Sequence, residues 1–233
     1  MYGDENEREI TERIDWAMLD RCKFLGKKMK TIFIISLLMV IVSSLITGTT
    51  LLADQGMLRG TKGMLYFLIL CAGAIIVFAI AYCVALISMG GYYEAFTYSG
   101  ILMVVASFLS VWKEFNESAG LALLISLAAS VAEIFQMKFF VDGCESSLYG
   151  VDNSLAASWS TYWKIYVTIL AAGIVAAFCF IIPGINILAA LVILIVGVVS
   201  IGISIWMLIL IKQSSDALTR RAVTLEYKGG VVS

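Results

Sequence analysis

Six apolar runs decide what this chain can become. They fall at about 31–53, 64–89, 95–112, 118–140, 163–182 and 187–211 of the 233 residues. A helix needs about 17–25 apolar residues to cross the hydrocarbon layer of a bilayer, and each run meets that length. The apolar residues are continuous within each run and do not alternate, so the pattern is that of spanning helices rather than of barrel strands. Composition agrees. The chain is 61% hydrophobic and 14% charged, whereas soluble domains sit near 45–50% apolar and about 25% charged. The expectation is an all-α integral membrane protein with six transmembrane helices in one bundle and the lipid bilayer as its immediate partner.

The segment before the first run has its own pattern. Residues 1–30 carry too many charges and no early apolar core, so they do not read as a cleavable signal peptide. Ile10, Ile14, Met18, Cys22, Leu25 and Met29 recur along one helical stripe. Arg21, Lys23, Lys27, Lys28 and Lys30 gather at the end nearest the first run. An amphipathic interfacial helix over 1–30, leading into the first span, is expected. The other reading of the same stripe is a helix packed on the protein's own cytoplasmic segments. At the far end, residues 212–233 read as a polar tail that is mobile at Gly229 and Gly230.

Positive charge sets the orientation. With the N-terminus inside, thirteen of the sixteen Lys and Arg lie on the cytoplasmic side, and Arg59, Lys62 and Lys113 lie outside. Six spans with both termini cytoplasmic follow. The Gly90-Gly91 pair and the sole proline, in Pro183-Gly184-Ile185-Asn186, mark tight connections. The longest internal connection is expected at 141–162, on the cytoplasmic side, with Asp152 or Ser154 capping a new helix. The third run is the shortest and carries Thr97, Ser99, Ser107 and Ser110. The low-proline, methionine- and isoleucine-rich composition points to a bacterial plasma membrane.

The fourth run holds the candidate polar site. On a helix, Ala122, Ser126, Ala129 and Glu133 share a face, and Ser118 and Ser130 widen it. A carboxylate in the inner half of a bilayer costs a few kcal/mol, so Glu133 is expected to turn inward. Gln136 stands one turn further on and can hydrogen-bond to it. A cation would come from another helix, from Lys164 or from Lys27, Lys28 or Lys30. Three roles fit Glu133: a proton- or cation-responsive carboxylate lining a cavity, an acid that fixes helix packing, or a simple interfacial acid. The small-residue faces permit close helix approach and so homo- or hetero-oligomers; further pairs are Ala81/Ala85, Ala172/Ala176, Gly173/Ala177 and Ser200/Ser204.

A second cluster is aromatic. Trp159, Tyr162, Trp163 and Tyr166 stand at i, i+3, i+4 and i+7 at the start of the fifth run. Rings with a polar edge favour the headgroup layer, so this face is expected to be an interfacial anchor.

Signs of catalysis and of cofactors are missing from the sequence. The chain has no histidine, and the phosphate-loop, dinucleotide and nucleophile-elbow patterns do not occur. The five cysteines are far apart and read as small buried hydrophobes. No basic tract suggests nucleic acid. The reading is therefore of no catalytic, metal or cofactor site. A non-enzymatic multi-pass protein is expected, acting by assembly with itself or with membrane partners and open to a cytoplasmic partner at its charged termini. A transport component is the alternative, using Glu133 or acting as a small permease subunit. An amphipathic lead-in followed by six spans resembles the layout of ABC-2 exporter permeases, although this chain lacks a large cytoplasmic loop after its second span.

Overall fold

The computed structural model describes residues 3–54, 62–115, 118–180 and 186–230. They form six α-helices: α1 (Gly3–Asp54), α2 (Lys62–Met89), α3 (Glu94–Glu114), α4 (Ala119–Leu148), α5 (Asn153–Phe180) and α6 (Asn186–Gly230). All six are long and apolar enough to cross a membrane, and the described residues contain no strand. The chain is an all-α multi-pass membrane protein.

Two helices far outrun a bilayer. At 1.5 Å per residue, the 52 residues of α1 extend about 78 Å and the 45 of α6 about 68 Å. The hydrocarbon layer takes about 30 Å of each. The N-terminal stripe is thus not a separate helix; it is the unbroken beginning of α1. The polar tail is likewise helical as far as Gly230. Residues 231–233 and Pro183-Gly184-Ile185, where a turn was expected, lie outside the described residues.

The helices fall into two compact units. The first comprises α1 as far as Gly26, α4 from Lys138, α5 and α6; the second runs from Lys27 to Met137. Within the first unit the core sits where α1 begins, α4 ends, α5 begins and α6 ends. Cys22 and Leu25, Phe140 and Leu148, Trp159 and Tyr162, and Ile211 and Leu218 are all almost wholly buried there. Among the described residues, α1 and α6 meet near Lys23 and Gly26. Lys23 pairs with Glu226. Ser215 Oγ donates to the Gly26 carbonyl at 2.9 Å. A Cβ on Gly26 would stand 2.9 Å from Thr219 Oγ1, so glycine is what allows the two backbones to approach. Leu19 and, from the stripe, Cys22 and Leu25 are buried within the chain.

The α4–α5 connection is shorter than expected, because α4 continues to Leu148. Phe140, Val141, Cys144 and Leu148 keep one helical face apolar and buried, although Asp142, Glu145, Ser146 and Ser147 raise the polarity. Four residues then turn the chain. Gly150 takes φ 76°, the left-handed region that suits glycine. Asp152 Oδ1 accepts from the Leu155 amide at 3.0 Å and from Ser154 Oγ at 2.7 Å, capping α5. These bonds hold the Asp152 carboxyl below the usual range, the Ser154 hydroxyl contributing most.

Within the second unit, α2 and α3 form a close hairpin. The Gly90 amide donates to the Ile87 carbonyl at 3.1 Å. A Cβ on Gly90 would fall 1.7 Å from Thr97 Oγ1, and one on Gly100 2.7 Å from Ile87 Cγ1. Cys83 Sγ donates to the Gly100 carbonyl at 3.4 Å. Leu86, Met89 and Phe96 are fully buried beside this turn.

Candidate functional site

Helix α4 presents its polar residues differently from the expected seam. Ile125, Ala129 and Ala132 are buried, and Ala122, Ser126 and Gln136 are half-buried. The covered line therefore runs Ile125–Ala129–Ala132–Gln136. Glu133 and Ser130 lie to one side of it and are exposed. Glu133 was expected to turn inward; in the chain by itself its side chain is exposed. Periodicity fixed which residues share a face; which face is covered depends on where the neighbouring helices approach.

Gln136 has a partner other than Glu133. Ser99 on α3 is wholly buried. Its hydroxyl donates to the Gln136 carbonyl at 3.0 Å, and Gln136 Nε2 donates back to Ser99 Oγ at 3.3 Å. Such an interhelical bond contributes about 0.6–2 kcal/mol in a membrane. Sequence reading had noticed Ser99 as one of four hydroxyls in the third run. Its spacing of three from Phe96, which is also buried, is the signal that marks it as core-facing.

Ser126, Ser130 and Glu133 form a separate stripe. At 100° per residue it lies about a quarter-turn around α4 from the covered line. Among the described residues, no hydrogen bond or ion pair reaches Glu133, Ser126 or Ser130. Other hydroxyls in the spans, such as those of Ser44, Ser200 and Ser204, bond back to the carbonyl four residues earlier.

The aromatic quartet divides in two. Trp159 and Tyr162 are buried in the first unit's core. The Trp159 indole N–H donates to Ser214 Oγ at 2.9 Å, and Ser214 in turn donates to the Leu210 carbonyl at 2.7 Å. Phe140 and Tyr162 meet the Trp159 ring edge-on at centroid distances of 5.7 and 5.8 Å, and Trp206 meets Tyr162 at 5.5 Å. The i, i+3 spacing that suggested a belt equally describes one side of a packed helix. Trp163 and Tyr166 remain half-exposed and stack on each other at 5.8 Å. Lys138 Nζ lies 5.5 Å from the Trp163 ring and is ion-paired with Asp142. Phe140, Trp206 and Ser214 were missed because each stands in another segment of the sequence.

An apolar groove of about 420 Å³ lies between α5 and α6, lined by Ala172, Val175, Ala176, Leu188 and Ala189. Gly173 approaches Val196 beside it. Four of the five cysteines are buried, Cys179 is partly so, and all are free thiols. Among the described residues, no three His, Cys, Asp or Glu side chains are grouped to hold a metal. Comparison with protein-family models, with curated proteins and with solved structures finds no match to this chain.

Proposed function

We propose that this multi-pass protein works by assembly: its spans associate with a second copy or with other membrane proteins, and it carries out no catalysis of its own. The observation that supports this reading is the covering of the spans. Between 6% and 22% of the apolar window of each helix is buried within the chain, so most of every span faces outward. Lipid tails are as apolar as leucine and supply no hydrophobic drive between helices. Close packing and polar contacts must therefore hold any assembly together. The groove between α5 and α6 and the Ser126–Ser130–Glu133 stripe are the features through which those forces can act. Helices α1 and α6 are joined at Lys23 and Glu226. In this reading the host is a bacterial plasma membrane with both termini cytoplasmic, as the positive charges favour.

The test is extraction in native-membrane nanodiscs, followed by mass determination and reconstitution. The expected particle contains more than one copy or a stoichiometric second protein, and it passes no solute or ion. A single-copy particle that sustains flux in liposomes would overturn the reading in favour of transport.

A further inference from the structure

We infer that the Ser126–Ser130–Glu133 stripe of α4 is a contact for a transmembrane helix of a different protein, one that carries a lysine or arginine at the depth of Glu133. This inference rests on the assembly reading above and names its partner. Glu133 follows a continuous apolar run that begins near Ser118, about 22 Å earlier along the helix. It therefore lies within a hydrocarbon layer about 30 Å thick. There it is exposed, and among the described residues nothing is bonded to it. A carboxylate left bare to lipid is expensive, and intramembrane acids characteristically pair with another polar group. Ser130 and Ser126 lie on the same side, one and two turns away, and their hydroxyls are also unengaged among the described residues. Three unengaged polar groups on one side of the helix, Ser130 and Glu133 exposed and Ser126 half-buried, fit a polar helix surface far better than acyl chains.

Charge selects the occupant. A two-fold contact of this stripe with a second copy would set Glu133 against the same carboxylate, and like charges at close range repel. A basic side chain on the partner complements it, while the serines bond to the partner's polar groups or let its backbone approach. The α5–α6 groove lacks this discriminating chemistry and remains open to either kind of neighbour.

The test uses the full chain in its native membrane, with a photoreactive amino acid at Leu123. That residue is 64% exposed and lies beside the stripe without belonging to it. Irradiation is expected to yield an adduct whose crosslinked peptide is a transmembrane segment containing Lys or Arg. Glu133→Gln should reduce that adduct about tenfold or more, the loss of at least one factor of ten in affinity that breaking a desolvated pair implies. Glu133→Lys should abolish it, and replacing the partner's basic residue by Glu in the Glu133→Lys background should restore it. Folding of each variant is followed independently by the protection of Cys22 and Cys144. An adduct unchanged by Glu133→Gln, or one formed with a second copy of this chain, would overturn the inference and leave the assembly reading standing. Adducts with lipid alone, together with a single-copy particle, would overturn both.

Discussion

Trp159 offers the sharpest perturbation of the packed core. Its side chain is fully buried, its indole N–H has one acceptor, Ser214 Oγ, and two rings meet it edge-on. Trp159→Ala removes the ring and leaves a cavity, a change that costs about 3–5 kcal/mol in packed cores. Trp159→Phe keeps most of the apolar contact and loses a hydrogen bond worth about 1 kcal/mol plus some volume. Ser214→Ala does the reverse, leaving a buried N–H without its acceptor at a cost of about 1–3 kcal/mol. In the double variant Trp159→Phe/Ser214→Ala both partners are gone, so its cost should be less than the sum, with a coupling of about 1 kcal/mol. Cys22 and Cys144 are wholly buried and report unfolding through their reaction with a thiol-specific dye. For a chain of this size each kcal/mol moves the midpoint by about 2–4 °C, so Trp159→Ala should lower it by roughly 10 °C. If Trp159 instead sat in the headgroup layer, Trp159→Phe and Ser214→Ala would be near neutral and uncoupled. Additive, sub-kcal effects would refute the buried assignment.

Three further outcomes are expected. Gly90→Ala should cost about 1–3 kcal/mol because its Cβ would overlap the Thr97 hydroxyl. Gly91→Ala, with nothing within 4 Å, should stay within about 0.5 kcal/mol, so equal effects would contradict the hairpin packing. Ser99→Ala should destabilise the protein by about 0.6–2 kcal/mol, and thermal unfolding of Ser99→Ala/Gln136→Leu should show the two positions to be coupled. Asp152 caps α5 with a depressed pKa. Its contribution is therefore present above the carboxyl's unfolded value and is lost as pH falls through the folded one. Asp152→Asn should flatten that acid limb in a stability–pH profile, while Asp152→Ala should cost about 1 kcal/mol at neutral pH.

The membrane class was legible because length and apolarity are sufficient to mark a span, as the runs inside α2 and α3 illustrate. The ends of the helices were less so. Phe140, Val141, Cys144 and Leu148 continue the apolar face of α4, but the intervening acids and serines resemble a loop. Along α6, Ile211, Ser214, Ser215, Leu218, Ala222 and Leu225 form the same kind of covered line through a segment that composition marks as a tail. Periodicity also names a face without naming its neighbour. The stripe through Cys22 and Leu25 could serve lipid or protein, and only the approach of α6 at Gly26 selects protein. Glu133 and Ala132 are adjacent in sequence, yet Ala132 is covered and Glu133 is not. That difference depends on which side of α4 its neighbours approach, which a single sequence does not contain.

The central claim is that span faces left open by the chain are covered by protein in the membrane. Spin labels placed singly at Leu123 and Leu127 on α4 and at Leu194 and Ile201 on α6 test it directly, since all four side chains are exposed in the isolated chain. Collisions with lipid-dissolved oxygen are read for each label in native membranes and again in nanodiscs holding one copy. The account predicts that the α4 labels, at least, are shielded in native membranes and become accessible in the single-copy nanodiscs. Equal, high accessibility at all four positions in both preparations would contradict it.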